Sequence, residues 1–209
     1  LPTSPPISNK IGQRLGARGN RTRERFLEAA RNLLATLSPI DLTASAISKG
    51  AGSSPATFYV YFDSVHELLL ALSATASASV DALFPERDAL LVDERLEADI
   101  ITMIAAVNAA WDCAAPILLF RNLEADRGDV RFDELRTHQA QPILERIAAA
   151  IAMRRDVGLD PAIANAEAAV LVAAIERIAV RTHRPSTDGP QPQDLSDAVA
   201  RLVIKAIRP

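Results

Sequence analysis

The sequence predicts an all-α protein: an N-terminal three-helix unit containing a helix-turn-helix, followed by a larger helical domain. Three observations carry that expectation. Apolar residues recur at the three-and-four spacing of a helix face in nearly every segment. No segment alternates apolar and polar residues between turn signals as a half-buried strand would. Alanine is abundant, above all after residue 70, which favours helix and permits close helix contacts. At 209 residues, the chain is long enough for one or two compact domains with sizeable cores.

Taken in order, residues 1–19 hold Pro2, Pro5, Pro6, Gly12, Gly16 and Gly19 with few large apolar groups, and read as a flexible basic arm. Phe26, Leu27, Ala30, Leu33, Leu34 and Leu37 then mark one face of a helix that Pro39 stops. Thr43 is a suitable N-cap for a short helix with Ala46 and Ile47 facing inward. Gly50, Ala51 and Gly52 end it with the backbone freedom a sharp turn needs. Ser54 and Pro55 read as N-cap and first-turn proline of the next helix, which runs through Phe62. Ser64 with Glu67 forms a capping box for a helix that carries Leu68, Leu69 and Leu72 inward and extends to about Phe84, before Pro85. Beyond residue 93, helices are predicted near 94–113, 116–125, 130–155, 161–183 and 193–207, with breaks at Gly128, Gly158 and Pro185 to Pro192. The organisation is thus an arm over 1–19, a helix-turn-helix unit over 20–65 and a helical domain over 66–209. No internal repeat is present.

The formal charge of −3 conceals an asymmetry. Residues 1–65 carry eight basic groups (Lys10, Arg14, Arg18, Arg21, Arg23, Arg25, Arg31, Lys49) against four acidic ones, whereas the rest of the chain carries 15 basic and 22 acidic. One module suited to a polyanion and another suited to a different partner would give this pattern; so would an ordinary solvated face. A single cysteine, Cys113, excludes an internal disulfide framework and a multi-cysteine zinc site. On its apolar helix it reads as a small buried hydrophobe. Apolar runs such as Ile147 to Met153 are short of the ~18 residues a membrane helix needs, and no signal-peptide pattern opens the sequence. The expectation is a cytoplasmic protein without a membrane partner.

The chemistry concentrates between Thr43 and Phe62. Four of the nine aromatic residues fall at positions 58–62. Helical spacing puts Phe58 and Phe62 on the core face, turns Tyr59 outward to where a hydroxyl can meet phosphate, and sets Tyr61 near the edge. Two short helices about a glycine turn read as a DNA-binding helix-turn-helix or as a plain helical hairpin with an aromatic core patch.

These residues resemble the DNA-binding domain of the TetR family of bacterial transcriptional regulators. The resemblance covers residues 20–72 and rests on Arg23, Phe26-Leu27, Ala29-Ala30 and Leu33-Leu34, then Leu42-Thr43 and Ile47. It continues through Ala51-Gly52-Ser53-Ser54-Pro55-Ala56-Thr57-Phe58-Tyr59-Val60-Tyr61-Phe62 to Ser64 and Glu67-Leu68-Leu69. It implies that Thr43 caps the second helix and bonds a phosphate and that Ser45 lies near the groove. Ser54, Pro55, Ala56 and Thr57 would lead the recognition helix, with Tyr59 and Tyr61 meeting backbone or thymine methyls. Pro55 and Ala56 cannot make the bidentate base contacts of arginine or glutamine, so specificity would lean on thymine contacts, Ser45, Thr57 and DNA shape. Arg18 and Arg21, with Arg14, would reach the minor groove or flanking phosphates, or remain a solvated arm. One position departs: where the family often has a phosphate-anchoring lysine two residues before the glutamate of the fourth helix, this chain has Val65 beside His66. Losing one phosphate contact per subunit lowers the salt slope by ~0.9.

The resemblance further implies a ligand-responsive regulator, a repressor released from a palindromic double-stranded operator by a small hydrophobic molecule. The ligand candidates are Met103, Val107, Asn108, Trp111, Leu119, Phe120, Val172 and Ile175. Trp111 leads them, as a large ring whose N–H needs a partner, although an apolar stripe at this spacing also reads as ordinary core. No cofactor or metal is implied. The helices near 161–183 and 193–207, with the alanine face Ala162, Ala166, Ala169 and Ala173, would form a homodimer. The alternatives are a helical interaction protein or a non-repressing regulator with weak DNA binding, and a helical-bundle enzyme. Against the enzyme, Glu-x-x-His never occurs, Asp63 and His66 form a lone Asp-x-x-His, and His138 and His183 stand apart. Nor is there a Walker-type loop or a Gly-x-Ser-x-Gly elbow.

Overall fold

The computed structural model describes residues 16–81, 94–154, 160–182 and 189–208. Eight α-helices and no strand occur among them: α1 (Ala17–Leu34), α2 (Ala44–Gly50), α3 (Pro55–Tyr61), α4 (Val65–Asp81), α5 (Leu96–Asp126), α6 (Val130–Arg154), α7 (Pro161–Thr182) and α8 (Pro192–Ile207). A single 3₁₀ turn at Pro39–Asp41 joins α1 to α2. The chain divides into one unit ending at Thr75 and another beginning at Ala76, so the division falls inside α4, beyond the residue 65 read from sequence. Most of the arm (residues 1–15, with Arg14), the stretch around Phe84 and Pro85, Gly158, Pro185 and His183 lie outside the described residues.

In the N-terminal unit α1 packs on α2, and α2 on α3. Its core is Phe26, Leu27, Ala30, Ile47, Phe58, Phe62, Leu68, Leu69 and Leu72, the residues that helical periodicity turns inward. Helix α1 begins at Ala17, earlier than the apolar period announces. Its first turn closes through Asn20 N–H to Gly16 C=O (3.0 Å), and Ala17 and Arg18 face solvent. An apolar period cannot report a turn that buries nothing.

The second unit is built on α5, α6, α7 and α8, each packed against the other three. The two helices expected over 94–113 and 116–125 run as one, interrupted at Ala114, whose backbone leaves the helical region (φ −138°, ψ 16°). Pro116 explains the break, because a proline inside a helix removes a backbone donor and crowds the preceding turn. Gly128 (φ +96°) then terminates α5 in a conformation that glycine adopts at no steric cost.

Two expectations are corrected here. Cys113 is exposed, because it lies two residues past buried Trp111, about 200° around the helix from the inward face. Helix α5 is also long and apolar enough to cross a membrane by length and composition, although no single uninterrupted run reaches that length. Broken at Ala114, carrying the buried Arg121 and packed against α6, α7 and α8, it serves as the core helix of this unit.

Candidate nucleic-acid interface

Each short helix of the reading unit starts from a side-chain cap. The Thr43 hydroxyl oxygen accepts the Ala46 N–H at 3.1 Å. The Ser54 oxygen accepts the Thr57 N–H at 3.2 Å and lies 2.9 Å from the Thr57 hydroxyl. The Ser64 oxygen accepts the Glu67 N–H at 3.2 Å. Such caps satisfy backbone donors that a helix start leaves free and are each worth about 1 kcal/mol. They fix where α2, α3 and α4 begin.

The turn between α2 and α3 is held by a residue that sequence reasoning does not single out. The Arg25 guanidinium, on α1, donates to the carbonyl of Ala51 and, at 3.4 Å, to that of Gly52. Of the glycines expected to supply freedom here, Gly52 does so with φ +59°. Gly50 instead permits close approach: a Cβ there would lie 3.3 Å from the Ala29 Cβ. A Cβ on Gly52 would meet Arg25 Nη2 at 3.0 Å. Gly52→Ala is therefore expected to cost about 1–2 kcal/mol from the left-handed backbone alone, and to displace the Arg25 guanidinium that the added Cβ meets. Thermal unfolding followed by circular dichroism checks the first effect; an unchanged midpoint would show that the turn is not strained by a side chain.

Aromatic packing sets the direction of α3. Phe58 is fully buried, with its ring 5.5 Å from Phe26, 5.5 Å from Phe62 and 5.3 Å from Tyr59. The Arg23 guanidinium lies over the Phe62 ring at 5.2 Å, and burial lowers its pKa. With Phe58 and Phe62 inward, the opposite face is open. Thr43, Ser45, Ser54, Pro55, Ala56 and Tyr59 are exposed; Thr57 and Tyr61 are half-buried, the Tyr61 ring resting 5.9 Å from Phe26. Val60, not singled out from sequence, is exposed beside Tyr59 and offers an apolar surface of the kind that meets a thymine methyl. Arg18 and Arg21 are exposed on α1 rather than on an arm, and Lys49 is exposed at the end of α2. Arg23, half-buried over Phe62, and Arg25, exposed but bonded to the turn carbonyls, are by contrast engaged by the fold itself. The arrangement presents hydroxyls, a phenol and small apolar groups on short, capped helices beside exposed cations.

In the second unit Met103, Val107, Trp111, Phe120, Val172 and Ile175 are buried on α5 and α7, two helices that pack together. The Phe120 ring packs edge-on against Phe132 at 5.7 Å. Leu119 is half-buried, and Asn108 donates to the Ser196 hydroxyl on α8 at 3.1 Å. Asn108 thus already has a partner within the protein.

Comparison with known proteins agrees with this layout. The family model described as "Bacterial regulatory proteins, tetR family" matches residues 26–72. Among solved structures, a tetR-family transcriptional regulator from Streptomyces coelicolor is similar over 93% of this chain and 89% of its own, with a TM-score of 0.67 and 20% identity. The fatty acid degradation regulator FadR from Bacillus halodurans is similar over 91% and 96%, with a TM-score of 0.65 and 15% identity. FadR from Bacillus subtilis, solved with stearoyl-CoA, is similar over 88% and 98% at the same TM-score and identity. No curated protein sequence gives a significant match.

Proposed function

We propose, from the match of residues 26–72 to the family model for bacterial regulatory proteins of the tetR family and from the fold the chain shares with solved regulators, that this protein is a dimeric repressor released from a palindromic operator by a small apolar ligand. The observation that carries the reading is the open face of α2 and α3, where Thr43, Ser45, Ser54, Pro55, Ala56 and Tyr59 stand exposed above a fully buried Phe58. Thr43 uses an oxygen lone pair as a cap acceptor, which leaves its hydroxyl hydrogen to turn toward phosphate, and the Ser54–Thr57 hydroxyl pair, 2.9 Å apart, uses one hydrogen between its members and leaves the other for phosphate. Tyr59 and Val60 supply stacking and methyl contacts, while Arg18, Arg21 and Lys49 supply charge. Repression is by occupancy of the promoter, in the cytoplasm where the chromosome lies.

Dimerisation uses α7 and α8. Ile163, Ala166, Val170 and Ala173 form an exposed stripe at helical spacing along α7, and Leu202 is exposed on α8. Alanines on that stripe let a second helix approach closely, and a two-fold pair sets the recognition helices about one DNA turn apart, ~34–36 Å. Val170→Asp is expected to convert a species of about twice 22.4 kDa into monomer in sedimentation equilibrium; a variant that still sediments as dimer places the interface elsewhere. The ligand sits among the buried apolar residues of α5 and α7, with Met103, Val107, Trp111, Phe120, Val172 and Ile175 as its surroundings, and its apolar character follows from theirs.

The test is titration of the protein with a duplex carrying the palindrome upstream of its own coding region, against random duplex, at two salt concentrations. Preference for the palindrome of about 10³-fold or more is expected, with affinity falling as salt rises; equal affinity for both duplexes would overturn the reading. Val65 belongs to the same experiment. Placing a cation there, as Val65→Lys, is expected to steepen the salt slope by ~0.9 per subunit. An unchanged slope would mean that this position does not face phosphate.

A further inference from the structure

Among the described residues of the second unit, one charged group lies entirely inside. Arg121 of α5 has no exposed surface. Its guanidinium donates to the Ser77 hydroxyl at 3.0 Å, to the Gln139 side-chain carbonyl, and through Nε and Nη2 to the Asn122 carbonyl at 3.0 and 2.9 Å. Among the described residues all of these acceptors are neutral. Glu176 of α7 acts on it electrostatically. Burial pushes the Arg121 pKa down to about 10, against the opposing influence of Glu176, so the group remains a cation at neutral pH. Burial likewise raises the Glu176 pKa, against the opposing influence of Arg121 and Arg136.

A buried charge is costly unless an opposite charge or a full set of hydrogen bonds compensates it. Neutral oxygens compensate Arg121 only in part, since an ionic acceptor forms a stronger bond with guanidinium than an amide or hydroxyl does. Four helices contribute to the cluster: α4 through Ser77, α5 through Arg121 and Asn122, α6 through Gln139 and α7 through Glu176. One helical turn from these groups lie the buried apolar side chains of Ile117 and Leu118, Ile143, and Val172. Both flanking helices also carry an internal proline near the cluster, Pro116 in α5 beside the break at Ala114, and Pro142 in α6. A proline within a helix breaks the ladder and opens local spacing. A polar point with a cationic centre therefore sits in an apolar interior beside the break in α5.

We propose that Arg121 anchors the acidic head of the ligand, so that the molecule sensed is an amphipathic anion, a carboxylate on an apolar body, rather than a neutral hydrophobe. This rests on the ligand-sensing reading above and makes it more specific. The carboxylate takes guanidinium N–H bonds in place of neutral acceptors, while the apolar body lies along the interior faces of α5 and α7. Glu176 competes for the same cation and so limits affinity.

The experiment is calorimetric titration of the full chain with decanoate and with 1-decanol, which share a tail and differ in the charged head. Decanoate is expected to bind at least about tenfold more tightly than 1-decanol. Arg121→Gln should abolish that preference. Glu176→Gln, which leaves the arginine in place, should tighten decanoate about threefold or more and leave 1-decanol unchanged. Equal binding of the two probes, binding of neither, or a Glu176→Gln variant with unaltered decanoate affinity would overturn the proposal, whether or not the Arg121 variant folds. Operator binding is measured on the same preparations without either probe. Its absence would count against the regulator reading and not against the anion site.

Discussion

Replacing Phe58 by alanine is expected to abolish operator binding by unfolding the reading unit. The ring is fully buried and touches Phe26, Tyr59 and Phe62, so its removal deletes the centre of the aromatic cluster on which α1 and α3 meet. Phenylalanine-to-alanine changes in cores cost about 3–5 kcal/mol. At ~0.05–0.15 kcal/mol per residue, a unit of about 60 residues holds roughly 3–9 kcal/mol of net stability. The loss therefore takes a third or more of what is available, and all of it at the lower end of that range. Thermal unfolding followed by circular dichroism should show the transition of the reading unit lost or shifted far down, with the helices of the second unit still folded. Phe58→Leu, which keeps most of the volume, should retain both folding and binding. An alanine variant with an unchanged transition would mean that this ring does not organise the unit.

The second large effect separates folding from function. Ala56 is exposed at the second position of α3, behind Pro55. A carboxylate in the first turn of a helix interacts favourably with the helix dipole, so Ala56→Glu should leave the melting temperature unchanged or slightly raised. Against DNA the same charge meets phosphates of like sign at the leading edge of the recognition helix. Like-charge juxtaposition in an interface costs several kcal/mol, and operator affinity should fall by about 100-fold or more in a binding titration. A stable Ala56→Glu variant that binds as the parent does would place the DNA on another surface.

Much of the fold was legible because its signals are local. Thr43, Ser54 and Ser64 announce helix starts within three residues of the donors they satisfy, and each cap is present. Phe58 and Phe62 lie inward because a four-residue spacing permits little else once the helix is formed. Pro116 marks the region where α5 breaks. What could not be read depends on partners distant in the chain. Arg25 looks like one more cation for a polyanion, yet it reaches 26 residues ahead to hold the turn at Ala51. The burial of Arg23 over Phe62 likewise removes a charge from the face that a simple count assigns to DNA. Arg121 is the strongest case: arginine in a helix reads as a solvated residue, and only the arrival of Ser77 and Gln139 from other helices makes its burial possible. Cys113 failed for a local reason, since its apolar neighbours suggested burial while its angular position faces out.

The central claim is that α2 and α3 read a two-fold DNA site, and the most direct measurement is footprinting. Duplexes selected by the protein from a random-sequence pool are cleaved in its presence and absence. The account predicts protection of two inverted half-sites whose centres lie about one helical turn apart, ~34–36 Å, and loss of that protection in Ala56→Glu. Failure to enrich any sequence over the starting pool, or protection that persists in Ala56→Glu, would contradict it.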